Sequence, residues 1–450
     1  MLFTSLYFIL ALLLLVTIHE YGHFFVARCC GVKVLRFSFG FGKVLARWHD
    51  KRGTEYAWSL FPLGGYVKML DESEGEVPAH ERHLAFNNKS IGARIAIVLA
   101  GPLFNFLFAF VAFWLVLVIG IKSLAPIIGE VKPGSIAAQA GLTAKQEILF
   151  LNGKKIASWR DFQYAFMPLM GTTEPVDITV KSVSGGPQKR LRLSLASWRL
   201  DEKKPDLLDS FGIVPFVPTI PPIVAEVIPE SAAQVAGLQI DDVITAVNGR
   251  AISDWFVLVD FVKQHPDQTI TITVDRHGKS ERLDAHIGHL MNNGKAEGVL
   301  GVRSQQIEWP ANWLRIQRET PVRAIGTALT ETLDITGATF TLIGRLITGK
   351  LSLKNISGPV GIAKGAGESA RGGLVYYLSF LALISISLGV LNLLPIPMLD
   401  GGHLLYFVVE IICRRPLSNE IKSIGMYVGM ILLITLTIIA LTNDVTRLTG

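Results

Sequence analysis

Two histidines stand four residues apart, with a glutamate between them, in the segment "VTIHEYGHFFVARCCG" at residues 16–31. If this segment is helical, His19 and His23 lie one above the other, because positions i and i+4 share a face of a helix. Imidazoles at this spacing around a glutamate are typical of zinc hydrolases, in which the histidines bind the metal and the glutamate is the general base. The motif therefore predicts a catalytic Zn²⁺ site with His19 and His23 as ligands and Glu20 as base.

The residues before this motif are suited to lipid. No charged side chain occurs in residues 1–18, and a charge-free apolar run of this length can cross a bilayer as a helix. Ionisable groups in such a helix are costly and need partners, so a metal site is favoured over a pair of interfacial histidines with a glutamate closing the helix. The run is longer than a signal-peptide core and lacks a small-residue cleavage pattern, which predicts a retained helix.

Composition predicts a membrane protein with a large water-exposed part. Of the 450 residues, 50% are hydrophobic and only 18% are charged, and the mean hydropathy is +0.41. Three further charge-free runs, at residues 95–121, 374–399 and 423–443, predict four transmembrane helices in all. The three cysteines provide no disulfide framework, and the net charge of +6 forms no basic stripe that would indicate nucleic-acid binding.

The distribution of Lys and Arg predicts the topology. Eleven of them lie at residues 28–94, in and beside the loop between the first two spans, and Arg414, Arg415 and Lys422 lie between the last two. Because basic residues mark cytoplasmic loops, both loops are predicted to be cytoplasmic. Both termini and residues 122–371 are then outside, which for a bacterial inner-membrane protein means the periplasm.

A catalytic zinc needs a third protein ligand and an open position for water. Asp400 follows the third apolar run and is the favoured candidate; His403, about one helical turn further on, is a rival. Pro395 and Pro397 interrupt helical hydrogen bonding just before it, and irregular backbone at membrane depth is tolerated only where it lines a cavity or is buried in protein. Asn392 and this broken helix are therefore predicted to line the site.

The His-Glu-x-x-His motif, followed far downstream by "NLLPIPMLDGG" at residues 392–402, resembles the site-2 protease family of intramembrane zinc metalloproteases. The resemblance covers nearly the whole chain. It implies zinc ligation by His19, His23 and Asp400, with Glu20 as base. It also implies that Asn392 holds substrate, and Pro395 and Pro397 in the broken stretch beside it are further candidates for substrate binding. The implied clients are single-span transmembrane proteins, namely an anti-sigma factor already trimmed by another protease and leftover signal peptides.

An internal repeat occupies the water-exposed part. Residues 127–159 align without gaps on residues 223–255, and both copies contain an Ala-Gly-Leu step and an Asn-Gly turn. The pattern resembles PDZ domains, so two tandem PDZ-like periplasmic modules are predicted, at residues 122–219 and 220–310. PDZ domains bind extended C-terminal peptides at a sheet edge. The usual carboxylate-binding loop is absent, and "FGIVP" at 211–215 and "LGVRS" at 300–304 are possible counterparts, so peptide binding and steric gating both remain open.

The remaining chain completes a predicted polytopic α-helical membrane protein. Residues 1–121 hold spans one and two, the metal motif and a membrane-associated β-hairpin region at 37–70, on the cytoplasmic side. Residues 311–371 hold an amphipathic segment (312–350), expected to lie on the membrane surface in contact with lipid, and a glycine-rich loop (355–367). Residues 372–450 hold spans three and four with the Leu-Asp-Gly motif.

The favoured function is intramembrane zinc endopeptidase activity toward single-span proteins. A membrane ion or metal transporter also suits buried acids and histidines in a broken-helix protein, although it gains nothing from a base between two ligands. A membrane-anchored PDZ scaffold with a vestigial metal site is a third possibility, disfavoured by the intact glutamate. Cleavage of a single-span reporter, measured together with metal content, separates the three.

Overall fold

The computed structural model describes residues 2–449 except 74, 197, 199, 201–205, 219, 293–294, 305–312 and 416. The chain divides into two compact units. One consists of Met1–Val214 together with Arg315–Gly450, and the other is Pro215–Leu314. The predicted module boundaries at 219 and at 310–312 lie outside the described residues.

The α-helices of the described residues are α1 (Leu2–Cys29), α2 (Ile91–Ile119), α3 (Ile136–Gln139), α4 (Trp159–Phe166), α5 (Leu207–Phe211), α6 (Ala232–Val235), α7 (Trp255–Lys263), α8 (Pro321–Ile347), α9 (Pro359–Arg371), α10 (Leu374–Leu393), α11 (Asp400–Cys413) and α12 (Asn419–Thr449). Short 3₁₀ turns occur at Arg82–Leu84, Phe86–Asn88, Met167–Leu169 and Leu353–Asn355.

The strands of the described residues are β1 (Val34–His49), β2 (Glu55–Met69), β3 (Ile121–Leu124), β4 (Ile128–Val131), β5 (Gln146–Leu151), β6 (Lys154–Lys155), β7 (Val176–Ser182), β8 (Lys189–Leu193), β9 (Ile213–Pro215), β10 (Val224–Val227), β11 (Val243–Val247), β12 (Arg250–Ala251), β13 (Thr269–Arg276), β14 (Lys279–His286), β15 (Gly288–Asn292), β16 (Lys295–Val299), β17 (Val302–Ser304) and β18 (Leu314–Gln317).

Four helices of the described residues, α1, α2, α10 and α12, are long and apolar enough to cross a membrane. They correspond to the four predicted runs, with shifted ends. Helix α1 continues past residue 18 to Cys29, so the His-Glu-x-x-His motif lies within the helix and its i, i+4 geometry is realised. Helices α2 and α10 pack against each other, and α1 packs along α2.

The third apolar run is not one continuous helix. Helix α10 ends at Leu393, residues 394–399 are non-helical, and α11 begins at Asp400. The prolines at 395 and 397 explain the break, since neither can donate a helical hydrogen bond. The prediction that Asp400 ends the third span is therefore corrected: Asp400 is the first residue of a new helix.

A long β-hairpin follows α1, in the region where hairpins were predicted. Strands β1 and β2 pair antiparallel around a turn at residues 50–53, and the first part of β1 pairs with two separate parts of β2, so that Phe37 faces both Tyr56 and Val67. Arg28 near the end of α1 donates a hydrogen bond to the Asp50 carboxylate in this turn. The hairpin packs against α1 through β2, which brings β2 beside the metal motif.

The Arg28 guanidinium lowers the pKa of the Asp50 carboxyl to about 2, chiefly through this hydrogen bond. The same carboxylate accepts hydrogen bonds from the backbone N–H groups of Arg52 and Thr54. These contacts tie the hairpin turn to the end of α1.

The glycine-rich loop predicted at residues 355–367 is mostly helix, because α9 runs from Pro359 to Arg371. Its first turn is capped by the buried Asp444 carboxylate, which accepts hydrogen bonds from the N–H groups of Gly358, Val360 and Gly361. A Cβ added at Gly367 would lie 2.6 Å from Oγ1 of Thr4 in α1. The loop prediction is wrong because glycine here permits close contact between helices.

Helix α8 covers the part of the predicted amphipathic segment from residue 321; residue 312, its predicted start, lies outside the described residues. Its buried face, which includes Ala324, Ala328 and Ile335, packs on the apolar cluster formed with α2 and α10. The helix is therefore amphipathic, and its buried face contacts membrane-type helices.

The rest of the first unit contains a β-rich region. Its four-stranded sheet has the order β6-β5-β7-β8, and β4 pairs with β9. A core that includes Phe162, Phe166 and Phe211 holds these strands to helices α4 and α5.

The second unit has its own β-rich core. Its four-stranded sheet has the order β12-β11-β13-β14, and separate pairs are formed by β10 with β17 and by β15 with β16. Buried side chains that include Ile244, Leu258 and Ile272 fill the space between the sheet and α7.

Candidate metal centre

Three side chains from two distant parts of the chain converge inside the helical region. Nε2 of His19 and Nε2 of His23 are 3.2 Å apart. Oδ2 of Asp400 lies 3.2 Å from Nε2 of His19 and 3.5 Å from Nε2 of His23. The side chains of the three residues are only 9%, 12% and 17% exposed, respectively. The structure thus brings together the three side chains predicted as metal ligands.

The helix break positions Asp400. Met398, just before it, has a φ of +85°, a left-handed conformation that non-glycine residues rarely adopt and that is often found at functional sites. A Cβ added at Gly401 would lie 2.1 Å from the carbonyl oxygen of Leu394. Only glycine therefore allows the start of α11 to fold back onto the end of α10, which directs the Asp400 carboxylate toward α1.

The cluster fits a zinc ion. A point equidistant from the three ligand atoms is roughly 1.9 Å from each of them, close to the ~2.0–2.1 Å typical of zinc with nitrogen and oxygen ligands. Oδ2 of Asp400 is buried and has no well-directed hydrogen-bond donor among the described residues. Two imidazoles and one carboxylate form a known donor set of catalytic zinc, which leaves the fourth position open.

The other nitrogen of each histidine faces α2. Nδ1 of His23 lies 2.8 Å from the carbonyl oxygen of Ile97, and Nδ1 of His19 lies 3.1 Å from the side-chain amide of Asn105, which is fully buried. A Cβ added at Gly101, between these two residues of α2, would lie 2.3 Å from Nε2 of His23. Helix α2 is therefore in direct contact with both rings.

Glu20 lies beside the cluster and faces strand β2, where its carboxyl interacts with the backbone N–H of Val67. The close packing of the hairpin is visible at Gly65, where an added Cβ would lie 2.6 Å from the carbonyl oxygen of Ser38 and 3.7 Å from Cγ of Glu20. This placement keeps the carboxyl of Glu20 near the three ligand atoms without making it one of them.

The three residues predicted to hold substrate occupy different surroundings. Nδ2 of Asn392 lies 3.5 Å from Nδ1 and 3.4 Å from Nε2 of His19, which places this amide next to the metal cluster. Pro395 is exposed in the helix break. Pro397 is half-buried, and its carbonyl oxygen would lie 2.0 Å from a Cβ added at Gly429 of α12. Asn392 thus has a polar contact with one of the predicted metal ligands.

His403, the rival third ligand, is exposed and does not belong to the cluster of possible ligands found among the described residues. Its ring faces Tyr406, with 6.3 Å between ring centroids.

Sequence reasoning missed the contribution of α2. Gly101 and Asn105 both contact the histidine rings, yet neither was singled out. A signal was present, since Asn105 is a lone amide in a charge-free apolar run and Gly101 precedes a proline. Polar residues inside membrane helices are rare and often functional.

The chain as a whole is similar to known proteases. Residues 7–436 match the model of peptidase family M50. The chain is 43% identical to the regulator of sigma-E protease RseP of Escherichia coli (strain K12) over 441 residues, which cover 98% of each chain. It is 40% identical to the regulator of sigma E protease of Haemophilus influenzae over 444 residues, again covering 98% of each chain.

A relative from Vibrio cholerae that is named as a zinc metalloprotease is 41% identical over 444 residues, 98% of each chain. A family match over nearly the whole chain, with similarity of this extent, settles the class of the protein. This chain is an intramembrane zinc metalloprotease, and it belongs to peptidase family M50.

Proposed function

We propose that His19, His23 and Asp400 hold the zinc ion and that Glu20 is the general base for hydrolysis of peptide bonds inside transmembrane segments. The observation that carries this proposal is the triangle of Nε2, Nε2 and Oδ2 atoms, with sides of 3.2, 3.5 and 3.2 Å. His19 and His23 belong to α1, which is long and apolar enough to cross a membrane, and Asp400 follows α10, a second helix of this kind. The peptide bond to be cut must therefore reach the site within the bilayer.

The chemistry follows from the residues around the triangle. When bound, zinc activates water as a nucleophile and polarises a carbonyl. The Glu20 carboxylate takes a proton from the attacking water and delivers it to the leaving amide nitrogen. Strand β2, which packs against α1, lies beside the Glu20 side chain. The amide of Asn392, which lies beside His19, is placed to hydrogen-bond backbone groups of an unwound substrate.

The substrates of this proposal are single-span membrane proteins. A transmembrane helix satisfies its own backbone groups, so its carbonyls are accessible only after local unwinding. The non-helical stretch at residues 394–399 next to the site offers polar backbone that can accompany such an unwound segment. Pro395 and Pro397 maintain this stretch, which is the role we assign to them in substrate binding.

Relatives named as regulators of sigma-E support a place in the sigma-E pathway. The proposed client is a transmembrane anti-sigma factor that another protease has already trimmed, and remnant signal peptides form a second class. Both have a single membrane span, and in this proposal neither carries a bulky folded domain on the periplasmic side.

We propose that the two β-rich regions are PDZ-like modules. Each has a short strand, a short helix, a strand leading to an Asn-Gly turn, a longer helix and a strand pair, in the same order. Asn152 and Asn248 have the same φ of 47°, and Gly153 and Gly249 share a φ of 78°, as expected for type I′ turns. Such modules can act as a size filter, which excludes clients that carry bulky domains, or they can bind C-terminal peptides. We propose the role of a size filter.

The proposed location is the bacterial inner membrane, with all four long apolar helices crossing it. The excess of Lys and Arg in the segments after α1 and after α11 supports a cytoplasmic position for both. The PDZ-like modules and both termini are then periplasmic. In this topology the β1–β2 hairpin approaches the site from the cytoplasmic side.

Replacing Glu20 by Gln tests the catalytic assignment. The variant is expected to keep zinc, because the three ligand side chains are unchanged, and to lose cleavage of a co-expressed single-span reporter. Glu130→Gln, at an exposed position of β4, is the matched control and should retain both properties. A folded Glu20→Gln protein that has lost its zinc, or one that still cleaves the reporter, would show that the role is assigned to the wrong residue.

A further inference from the structure

Both predicted histidine ligands turn their second ring nitrogen toward the same segment of α2. Nδ1 of His23 meets the carbonyl oxygen of Ile97 at 2.8 Å, and Nδ1 of His19 meets the side-chain amide of Asn105 at 3.1 Å. Ile97 and Asn105 are both buried, with exposures of 1% and 0%. Because both partners are buried, we take them to determine which nitrogen of each ring carries hydrogen.

For His23 the outcome is unambiguous. A backbone carbonyl only accepts hydrogen bonds, so Nδ1 of His23 donates, and in the neutral ring Nε2 keeps its lone pair. Nε2 of His23 lies beside Nε2 of His19 and Oδ2 of Asp400, so its lone pair is available to the same metal ion. Such an outer hydrogen bond is the usual means of orienting a metal-binding histidine.

For His19 the partner is the side-chain amide of Asn105, which can either donate or accept a hydrogen bond. Nδ2 of Asn105 faces Nδ1 of His19, whereas Oδ1 of Asn105 is buried without a hydrogen-bond partner among the described residues. In this orientation the hydrogen of the His19 ring is on Nε2, which has no lone pair to offer a metal. A half-turn of the amide exchanges two groups of the same shape, places Oδ1 against Nδ1, and frees the lone pair of Nε2.

A second amide lies close to His19 but is less suited to this role. Nδ2 of Asn392 is almost equally far from the two ring nitrogens, at 3.5 and 3.4 Å, so it does not select between them. Asn105 is nearer to Nδ1, and no contact between Asn105 and Nε2 is formed in the described structure. The orientation of His19 therefore depends on Asn105.

We propose that Asn105 is a positioning residue for the metal centre: its amide oxygen accepts the Nδ1 hydrogen of His19 and thereby presents Nε2 to the metal. This inference rests on the proposed ligand role of His19. It adds that the buried Asn105 amide of α2 orients the His19 ring, while the Ile97 carbonyl orients the His23 ring.

Two substitutions separate this role from simple packing. Asn105→Asp has nearly the same shape, and its carboxylate accepts but cannot donate, so it retains zinc affinity within about threefold of the unchanged protein. Asn105→Leu fills the same space without an acceptor and is expected to weaken zinc binding by about 10–100-fold, the usual effect of removing an outer partner of a metal-binding histidine. If Asn105 had only a packing role, Asn105→Asp would weaken zinc binding more than Asn105→Leu, because burying a carboxylate costs more free energy than burying leucine.

Ser385→Ala is the matched control. The Ser385 hydroxyl of α10 donates to the backbone carbonyl oxygen of Asn105, so its removal loosens a different contact of the same residue without touching a histidine. Zinc affinity of this variant should equal that of the unchanged protein.

The measurement is zinc affinity of the purified full-length protein, by competition with a chromophoric chelator, together with the visible spectrum of the cobalt-loaded protein. Equal affinity of Asn105→Leu and the unchanged protein, or equal weakening by Asn105→Asp and Asn105→Leu, would overturn the inference. If Asn105→Leu does not fold, Asn105→Ala replaces it, with the same expected loss. A failure of His19→Ala to weaken zinc binding would instead refute the proposed ligand set itself.

Discussion

Substituting Gly101 by alanine should remove the metal while leaving the helices in place. Gly101 lies on α2 directly opposite the motif of α1. A Cβ there would be 2.3 Å from Nε2 and 2.6 Å from Cε1 of His23, and 2.7 Å from Cε1 of His19. Non-bonded heavy atoms normally approach to about 3.5–4.0 Å. One methyl group therefore collides with both rings at the side that faces the metal.

The size of the effect follows from these distances. To restore normal contacts, the His23 ring must withdraw by roughly 1 Å, whereas a functional zinc site tolerates deviations of about 0.2 Å in its ligand distances. Helix α2 has little freedom to move away instead, because α10 and α8 pack against its other faces. A misplacement of about 1 Å typically reduces activity about 100-fold, and we expect zinc affinity and reporter cleavage to fall together by at least that factor.

Gly92→Ala provides the control, because Gly92 belongs to the same helix and an added Cβ there has nothing within 4 Å. Zinc content of both purified variants is measured by elemental analysis, cleavage by the single-span reporter, and folding by thermal unfolding in detergent. Gly101→Ala with full zinc content and normal cleavage would refute the reasoning that α2 lies against the metal face of the two rings.

Three other predictions concern different parts of the chain. Asp400→Ala should lose zinc and activity together, whereas His403→Ala should keep most of both; metal analysis of the two variants decides between these ligands. The pKa of Asp50 is lowered to about 2 in the folded protein, so its ionised carboxylate stabilises the folded state at pH values above the ordinary carboxyl pKa of about 3.9. This contribution is lost as the pH falls through about 2. The difference in melting temperature between the unchanged protein and Asp50→Asn should therefore shrink between pH 5 and pH 2, and a constant difference would contradict the Arg28 contact. The second PDZ-like module can be tested by replacing residues 215–314 with a flexible linker. If this module is a size filter, the variant should cleave clients with intact periplasmic domains. Loss of cleavage of trimmed clients would instead identify the module as an obligatory peptide receptor.

The two histidines and the glutamate could be predicted because their geometry is local. An i, i+4 spacing places two side chains on one face of any helix, so His19 and His23 converge in the structure as the motif predicts. Asp400 could be selected only through two further clues, the prolines before it and its place at the end of an apolar run. The structure differs in detail, because Asp400 begins α11, and the turn that directs it depends on the left-handed Met398.

The contribution of α2 could not be predicted from spacing in the same way. The acceptor for His23 is a backbone carbonyl, that of Ile97, and every residue has such a group. Asn105 reaches His19 only because α1 and α2 pack along each other, which is a tertiary contact between segments 86 residues apart. Composition also misled the prediction at residues 355–367, where glycine was taken as a sign of a loop and instead allows α9 to approach α1.

This site is assembled where the backbones of neighbouring segments come into close contact, and each such contact requires a glycine. A Cβ at Gly22 of α1 would lie 2.4 Å from the carbonyl oxygen of Ala100 in α2, and one at Gly401 would lie 2.1 Å from that of Leu394. Within a membrane, where lipid is as apolar as the helices, small residues are a main means of bringing helices close together. The ligands form a recognisable motif because the metal fixes their spacing. The elements that position them appear in the sequence only as single small residues, whose significance becomes visible once the neighbouring backbone is known.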